Sequence, residues 1–378
     1  MKDERKKFHI VLPVCMAVLI IILDILFFVI PDRTSSDTEN RNLQQFPKIT
    51  WNTLTQGRFE SQFDDYVADQ FPFRDMWIGV ETTIARLAGN TLSNGIFLGK
   101  DGYLIQQFVM PEEEEYEEIL SGFTEIAEAH PEQNLYAVVV PTAVSILKEK
   151  LPANALKIAG DEDDFIDRLY QDLEANKIQT IDVRSALTDL KAAGTQVYYR
   201  TDHHWTTDAA YTVYKVFADA AELEENEVVY EKLLVSDEFQ GTLTASSGFR
   251  SAESDAIYIY LPQKDESGED VIDYTVTNVD SGTKTASVYD TSYLSGRDKY
   301  ALFLGGNHGE LKIQSSASSG KSLLILKDSY ANCFIPFLIP DYNTIIVIDP
   351  RYYLGDLDQL IGDEGITDIL FFYNAETL

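Results

Sequence analysis

The chain has 378 residues, with 62 Asp and Glu against 30 Lys and Arg and a net charge of −32. Hydrophobic residues make up 45% and aromatics 12%, too much core-forming material for a disordered chain. A field of that sign repels phosphate and no basic stripe offsets it, which argues against nucleic acid as a partner, and the two cysteines, Cys15 and Cys333, lie in separate apolar runs that give no disulfide framework.

Residues 9–30, HIVLPVCMAVLIIILDILFFVI, form a nearly unbroken apolar run. At 1.5 Å per residue it reaches about 33 Å, enough to cross a hydrocarbon core. Lys2, Arg5, Lys6 and Lys7 precede it, so the positive-inside rule keeps that end in the cytoplasm and puts residues from about 32 onward outside. Asp24 within the run is costly in a bilayer and calls for protonation, an interfacial depth or a partner helix. A cleaved signal peptide is the rival reading, but the run is long for one and no small-x-small site follows Pro31. The polar stretch from Asp32 to Asn42 reads as a tether. An exported domain without disulfides points to a bacterial surface.

Phe59, Phe63 and Tyr66 recur at helical spacing until Pro72 breaks the run, and a second helix follows from about Trp77 to Leu87. Residues 94–105 read as two short strands about the turn Lys100-Asp101-Gly102. Pro111 and Glu112–Glu115 mark a helix start. Beyond it, short apolar strands at 135–141, 178–183, 322–329, 344–349 and 366–374 alternate with helices at 162–177, up to about Ala193, and 207–221. Strands of that kind, alternating with helices, predict an α/β fold with a mainly parallel sheet covered on both faces. Residues 225–300, rich in Thr, Ser, Tyr and Val between Gly/Asp/Ser turns, read as a β-rich antiparallel insertion or lid. The expected organisation is a cytoplasmic tip and anchor at 1–31, a tether and N-terminal part of the ectodomain at 32–110, and the α/β domain at 111–378.

Two segments carry chemistry. In TDHHWT (201–206), Asp202 and His204 are two apart, so on an extended segment both face one way and the carboxylate can fix the imidazole's tautomer. His203 would then face the other way. The alternative is a helix cap beside two structural histidines. In LLILKDSYANCFIPFL (323–338), an apolar strand ends at Lys327-Asp328 and Ser329 opens an apolar helix, near free backbone N–H groups; taken alone, the segment reads first as a plain N-cap at Ser329. Together the two segments hold the inventory of a serine acyl-transfer site, Asp202, His204 and Ser329. The sequence has no P-loop, GxGxxG or HExxH, and a metal site at His203 and His204 is disfavoured because adjacent side chains on an extended segment diverge.

ENRNLQQFP (39–47), DQFPFRD (69–75), GIFLGKDGYL (95–104), YYRTDHHWTTDAAY (198–211), FQGTLTASSGF (239–249), GGNH (305–308) and LLILKDSYANCFIPFL make the chain resemble the DHHW family of Gram-positive surface proteins. That family is similar to the SGNH-like domains of alginate O-acetyltransferase proteins, which carry a DxHW motif and, later, a Ser at a strand–helix turn. The resemblance implies an SGNH-hydrolase-like α/β fold, with Asp202 and His204 in the DxHW positions and Ser329 as nucleophile. It implies a membrane-anchored, extracytoplasmic O-acetyltransferase acting on a cell-surface polysaccharide, needing no metal or organic cofactor, and a membrane-bound O-acyltransferase partner that supplies acetyl. An acetyl esterase using the same residues, and a non-catalytic glycan-binding or scaffold protein of an export complex, are the alternatives. Lys327 stands where SGNH proteins usually have Gly. Gly241 and Asn307 are the candidates for the oxyanion hole, and Tyr330 is a further substrate candidate. Tyr198, Tyr199 and Trp205 are the candidates for stacking on a sugar. The −32 charge makes neutral or zwitterionic glycans the easier substrates.

Overall fold

The computed structural model describes residues 2–36, 41–224, 226, 228–249, 253–264 and 267–378. The chain divides into two compact units: Met1–Asn90 with Gly248–Arg250, and Thr91–Ser247 with Ser251–Leu378. In the first, a helix spans Lys2–Val29 with Pro13 inside it. The side chains of residues 1–10 and 12 lie outside the described residues, and with them the basic cluster expected at the cytoplasmic end. Among the described residues, no helix is long and apolar enough to cross a membrane. Helices Arg58–Asp69 and Arg74–Leu87 fall where the apolar spacing predicts them, separated at Pro72. Tyr66 packs edge-on against Phe27, with ring centroids 5.8 Å apart, and its hydroxyl donates to Asp32 at 3.1 Å.

The second unit is built on an eight-stranded sheet: β1 (Asn134–Val140), β2 (Gln179–Thr180), β3 (Tyr274–Asn278), β4 (Thr283–Thr285), β5 (Glu310–Ser315), β6 (Ser322–Lys327), β7 (Thr344–Ile348) and β8 (Asp368–Asn374). The spatial order is β4-β3-β5-β7-β6-β8-β1-β2. From β7 to β2 neighbours run parallel, whereas β5, β3 and β4 extend the β7 edge antiparallel. The sheet is thus mixed rather than mainly parallel. The difference lies in the predicted insertion. Only its first part, Tyr230–Phe239 paired with Asp255–Pro262, forms a separate antiparallel hairpin. Its second part joins the main sheet through β3, and residues 225, 227, 250–252, 265 and 266 lie outside the described residues.

Side chains alternate across a strand, so the neighbours Phe371 and Phe372 of β8 face opposite sides of the sheet. Phe371 meets Phe123 of helix Glu113–Ala129 at 4.7 Å, while Phe372 meets Phe334 at 4.3 Å and Trp205 at 5.9 Å. Helix Thr207–Ala220 lies on the Phe372 side, where Phe217 packs on Phe334 and on Tyr136 of β1. Both faces are therefore covered, and β1, β6 and β8 are almost wholly apolar because neither side of them meets water. Each of these strands delivers the following residues to one edge, where the site is found. Leu324, central in β6 and fully buried, has no room to collapse around a cavity. Leu324→Ala should cost about 2–5 kcal/mol, seen as a lower urea midpoint.

Candidate active site

Ser329 follows β6. Asp328 holds the turn: its Oδ1 accepts from the Tyr330 N–H at 2.8 Å, and its Oδ2 accepts from the N–H and the side-chain amide of Asn374 at 2.7 and 2.8 Å. The segment beyond is not the expected α-helix but two 3₁₀ turns, Ser329–Cys333 and Ile335–Leu338. Pro336 is the cause, since it has no N–H to bond a carbonyl one α-turn back. Ser329 therefore gains no long helix dipole.

TDHHWT forms a bend before helix Thr207–Ala220, which Thr206 caps by accepting from the Ala209 N–H at 3.4 Å. The bend brings Asp202, His204 and Ser329 into one line. His204 Nδ1 lies 2.5 Å from Asp202 Oδ1, and its Nε2 lies 2.7 Å from Ser329 Oγ. A carboxylate only accepts, so Nδ1 carries the proton, which leaves Nε2 to face the serine hydroxyl. Asp202 also accepts from the His204 N–H at 3.0 Å, the Thr242 N–H at 2.9 Å and the Thr242 hydroxyl at 3.1 Å. Burial opposes its charge, but the two imidazoles and the donated hydrogen bonds outweigh burial and hold the carboxyl well below the usual carboxylate range. Tyr300 stacks on His204 with centroids 3.7 Å apart and donates from its hydroxyl towards the Ser329 carbonyl at 3.2 Å.

His203 does not face away. Because 201–204 bends rather than extends, its ring lies 3.9 Å from that of His204, and its Nδ1 is 2.8 Å from Thr242 Oγ1. Asp202, His203 and His204 thus offer potential metal-ligand atoms within 4.8 Å of one another, contrary to the divergence expected of an extended segment. Asp202 Oδ1 and His204 Nδ1 are already spent on each other, and Asp202 Oδ2 on Thr242.

The remaining candidates divide. Gly241 spends its N–H on Thr201 Oγ1 at 3.0 Å, so it is no free oxyanion donor. Its need for glycine is steric, as a Cβ there would lie 2.2 Å from Asp202 Cβ and Oδ2. Asn307 is exposed, and its Oδ1 accepts from Lys327 Nζ at 2.8 Å and from Asn332 at 3.1 Å. It serves the buried Lys327, whose ammonium burial lowers to about 8 and which lies 3.8 Å from Asp349. Tyr198, Tyr199 and Trp205 are buried and offer no stacking surface; Trp205 Nε1 donates to the Tyr330 carbonyl at 2.9 Å. Tyr330 is buried overall, yet it lines a cavity with Asp202 and His203. Sequence reasoning missed Thr242, Tyr300 and Asp255. Asp255 accepts from the N–H groups of Arg200 and Thr201 at 2.9 and 2.8 Å and from the Thr201 hydroxyl at 2.7 Å, which braces the start of the bend. Asp255 begins the hairpin's second strand, and no local pattern marked it.

Residues 96–258 match the family described as "SGNH hydrolase-like domain, acetyltransferase AlgX". The chain is 24% identical over 164 residues to "Probable alginate O-acetylase AlgJ" of Pseudomonas fluorescens, covering 42% of this chain and 41% of that protein. It therefore spans about two fifths of that relative's length. It is similar to the structure of a DHHW family protein from Eubacterium siraeum, with 27% identity, a TM-score of 0.62, and coverage of 75% of this chain and 92% of the other. It shares its fold with Bacillus cereus PatB1 at 20% identity and a TM-score of 0.60, over 74% of this chain and 94% of that one. The resemblance to the DHHW family and to the SGNH-like acetyltransferase domains is borne out. Gly241→Ala should drive Asp202 from His204, abolishing the downfield Nδ1 proton resonance of a carboxylate-bound imidazole and costing about 1–3 kcal/mol of stability by thermal melt.

Proposed function

We propose that the protein is an extracytoplasmic O-acetyltransferase that acts on a cell-surface polysaccharide through an acetyl-serine at Ser329. The observation that carries this reading is the unbroken hydrogen-bond chain from Asp202 through His204 to Ser329 Oγ. Ser329 Oγ attacks the acetyl carbonyl carbon while His204 Nε2 takes its proton and passes it to the leaving group. In the second half, a sugar hydroxyl gives its proton to His204 and attacks the acetyl-serine. The C–O bond to Ser329 breaks and its oxygen takes the proton back. Asp202 stays ionised and stabilises the imidazolium, with Tyr300 stacked on the ring as a further partner for that charge.

The apolar run at residues 9–30, part of whose side chains lie outside the described residues, is the proposed single-span anchor in the cell membrane, with the α/β unit outside. A membrane-bound O-acyltransferase is the proposed source of acetyl, since an acetyl donor must cross the bilayer to reach Ser329, and Asp24 is a polar point for contact with it.

The full chain in detergent should hydrolyse 4-nitrophenyl acetate. Ser329→Ala should lose about 10³-fold or more of that rate, and Asp202→Asn a comparable factor because the amide can hold the imidazole in the wrong tautomer. An unchanged rate in Ser329→Ala overturns the serine chemistry. Transfer of acetyl to a glycan, followed by mass, separates transferase from esterase.

A further inference from the structure

Against the Asp202 end of the triad lies a cavity of about 440 Å³, in the size range of small-molecule sites, lined among others by Gln106, Thr142, Asp202, His203, Thr242 and Glu376. It sits beyond the carboxyl ends of β1 and β8, next to the strand that delivers Ser329. Among the described residues that line it there is neither Lys nor Arg. Two carboxylates line it, Asp202 and Glu376, and a third stands behind Thr142, where Glu162 accepts the Thr142 N–H at 2.5 Å and hydroxyl at 2.6 Å.

Proton accounting sharpens the picture. The Thr242 hydroxyl donates to Asp202, so the His203–Thr242 bond must be donated by His203 Nδ1. Burial lowers His203 to about 4, so at neutral pH its Nε2 is a lone pair. The Gln106 side-chain amide is likewise turned to Glu376 Oε1 at 3.0 Å. The Thr142 and Thr242 hydroxyls and His203 Nδ1 thus donate to protein groups and the Gln106 amide to Glu376, which leaves a lone pair on His203 and one Glu376 oxygen as acceptors. Such a wall suits hydroxyl and ammonium donors and opposes a carboxylate.

We propose that this cavity is the acceptor site, that it takes neutral or amino sugars and turns uronates away, and that Glu376 is the residue that sets this discrimination. The inference rests on the acetyl-serine reading above. Glu376 fits the part because its carboxylate is half-buried and only one of its oxygens has a donor here. Burial pushes it up to about 7, so its charge, and with it the repulsion of a uronate, grows as pH rises through that value.

The test uses the full chain in detergent, 4-nitrophenyl acetate as donor, and three acceptors matched in length: N-acetylglucosamine, glucosamine and uronic acid oligomers. Acetylated products are measured by mass. At pH 8 the wild type should acetylate both hexosamine oligomers at least about 10-fold faster than the uronate, a difference of one modest charge–charge interaction. That ratio should grow between pH 6 and 8. In Glu376→Gln it should shrink several-fold and become flat with pH. Equal or faster use of the uronate by the wild type overturns the assignment without recourse to any variant, and so does a ratio that Glu376→Gln leaves unchanged. If ester hydrolysis survives in Ser329→Ala, the acetyl-serine reading fails and takes this inference with it. If hydrolysis depends on Ser329 but the acceptor ranking is reversed, the cavity assignment alone falls.

Discussion

A carboxylate taken out of water costs several kcal/mol unless donors replace its hydration, and Asp202 keeps only 3% of its surface exposed. Four donors converge on it, from His204 Nδ1, the His204 N–H, the Thr242 N–H and the Thr242 hydroxyl. Much of the site follows from satisfying that one charge. The bend at 201–204 exists to turn two groups of His204 on it. Gly241 is glycine because the approach of its backbone leaves no room for a side chain. Thr201, held by Asp255, positions Gly241, and so the hairpin at 230–262 contributes to a geometry whose reacting groups lie elsewhere in the chain.

The strands and their order of alternation were legible because a strand buried on both faces must be apolar throughout, and β1, β6 and β8 are. The pairing of Asp202, His204 and Ser329 was legible for a different reason: few residue sets do serine chemistry, and TDHHWT and the Ser329 turn together supply one such set. What stayed hidden depends on local backbone geometry or on distant partners. Two-residue spacing places Asp202 and His204 on one side only if the segment extends, and it bends, which is also why His203 stays close. Trp205 and Tyr199 look like sugar platforms as exposed aromatics would, but the motif turns them inward to pack under the site.

Lys327 shows how a departure from a family pattern acquires a physical account. A glycine before the Asp-Ser pair leaves space. Lysine instead fills it with a buried ammonium that needs acceptors, and Asn307 and Asn332 provide them at 2.8 and 2.9 Å. Asn307 of the GGNH segment, read from sequence as a possible oxyanion donor, is thereby tied through its Oδ1 to the carboxyl end of β6.

The strand order has a temporal side. β8 is a central strand, lying between β6 and β1, although about 40 residues separate it from β6 in the chain and more than 200 from β1. Until residue 374 has been made, β6 and β1 have no neighbour to join them, and Asp328 lacks the Asn374 donors that pin the serine turn. A chain made from its N-terminus therefore holds Asp202 and His204 well before Ser329 has a fixed position. The nucleophile is assembled last, in a cooperative closure with long loops to span, and folding of this sheet will be slow for its size.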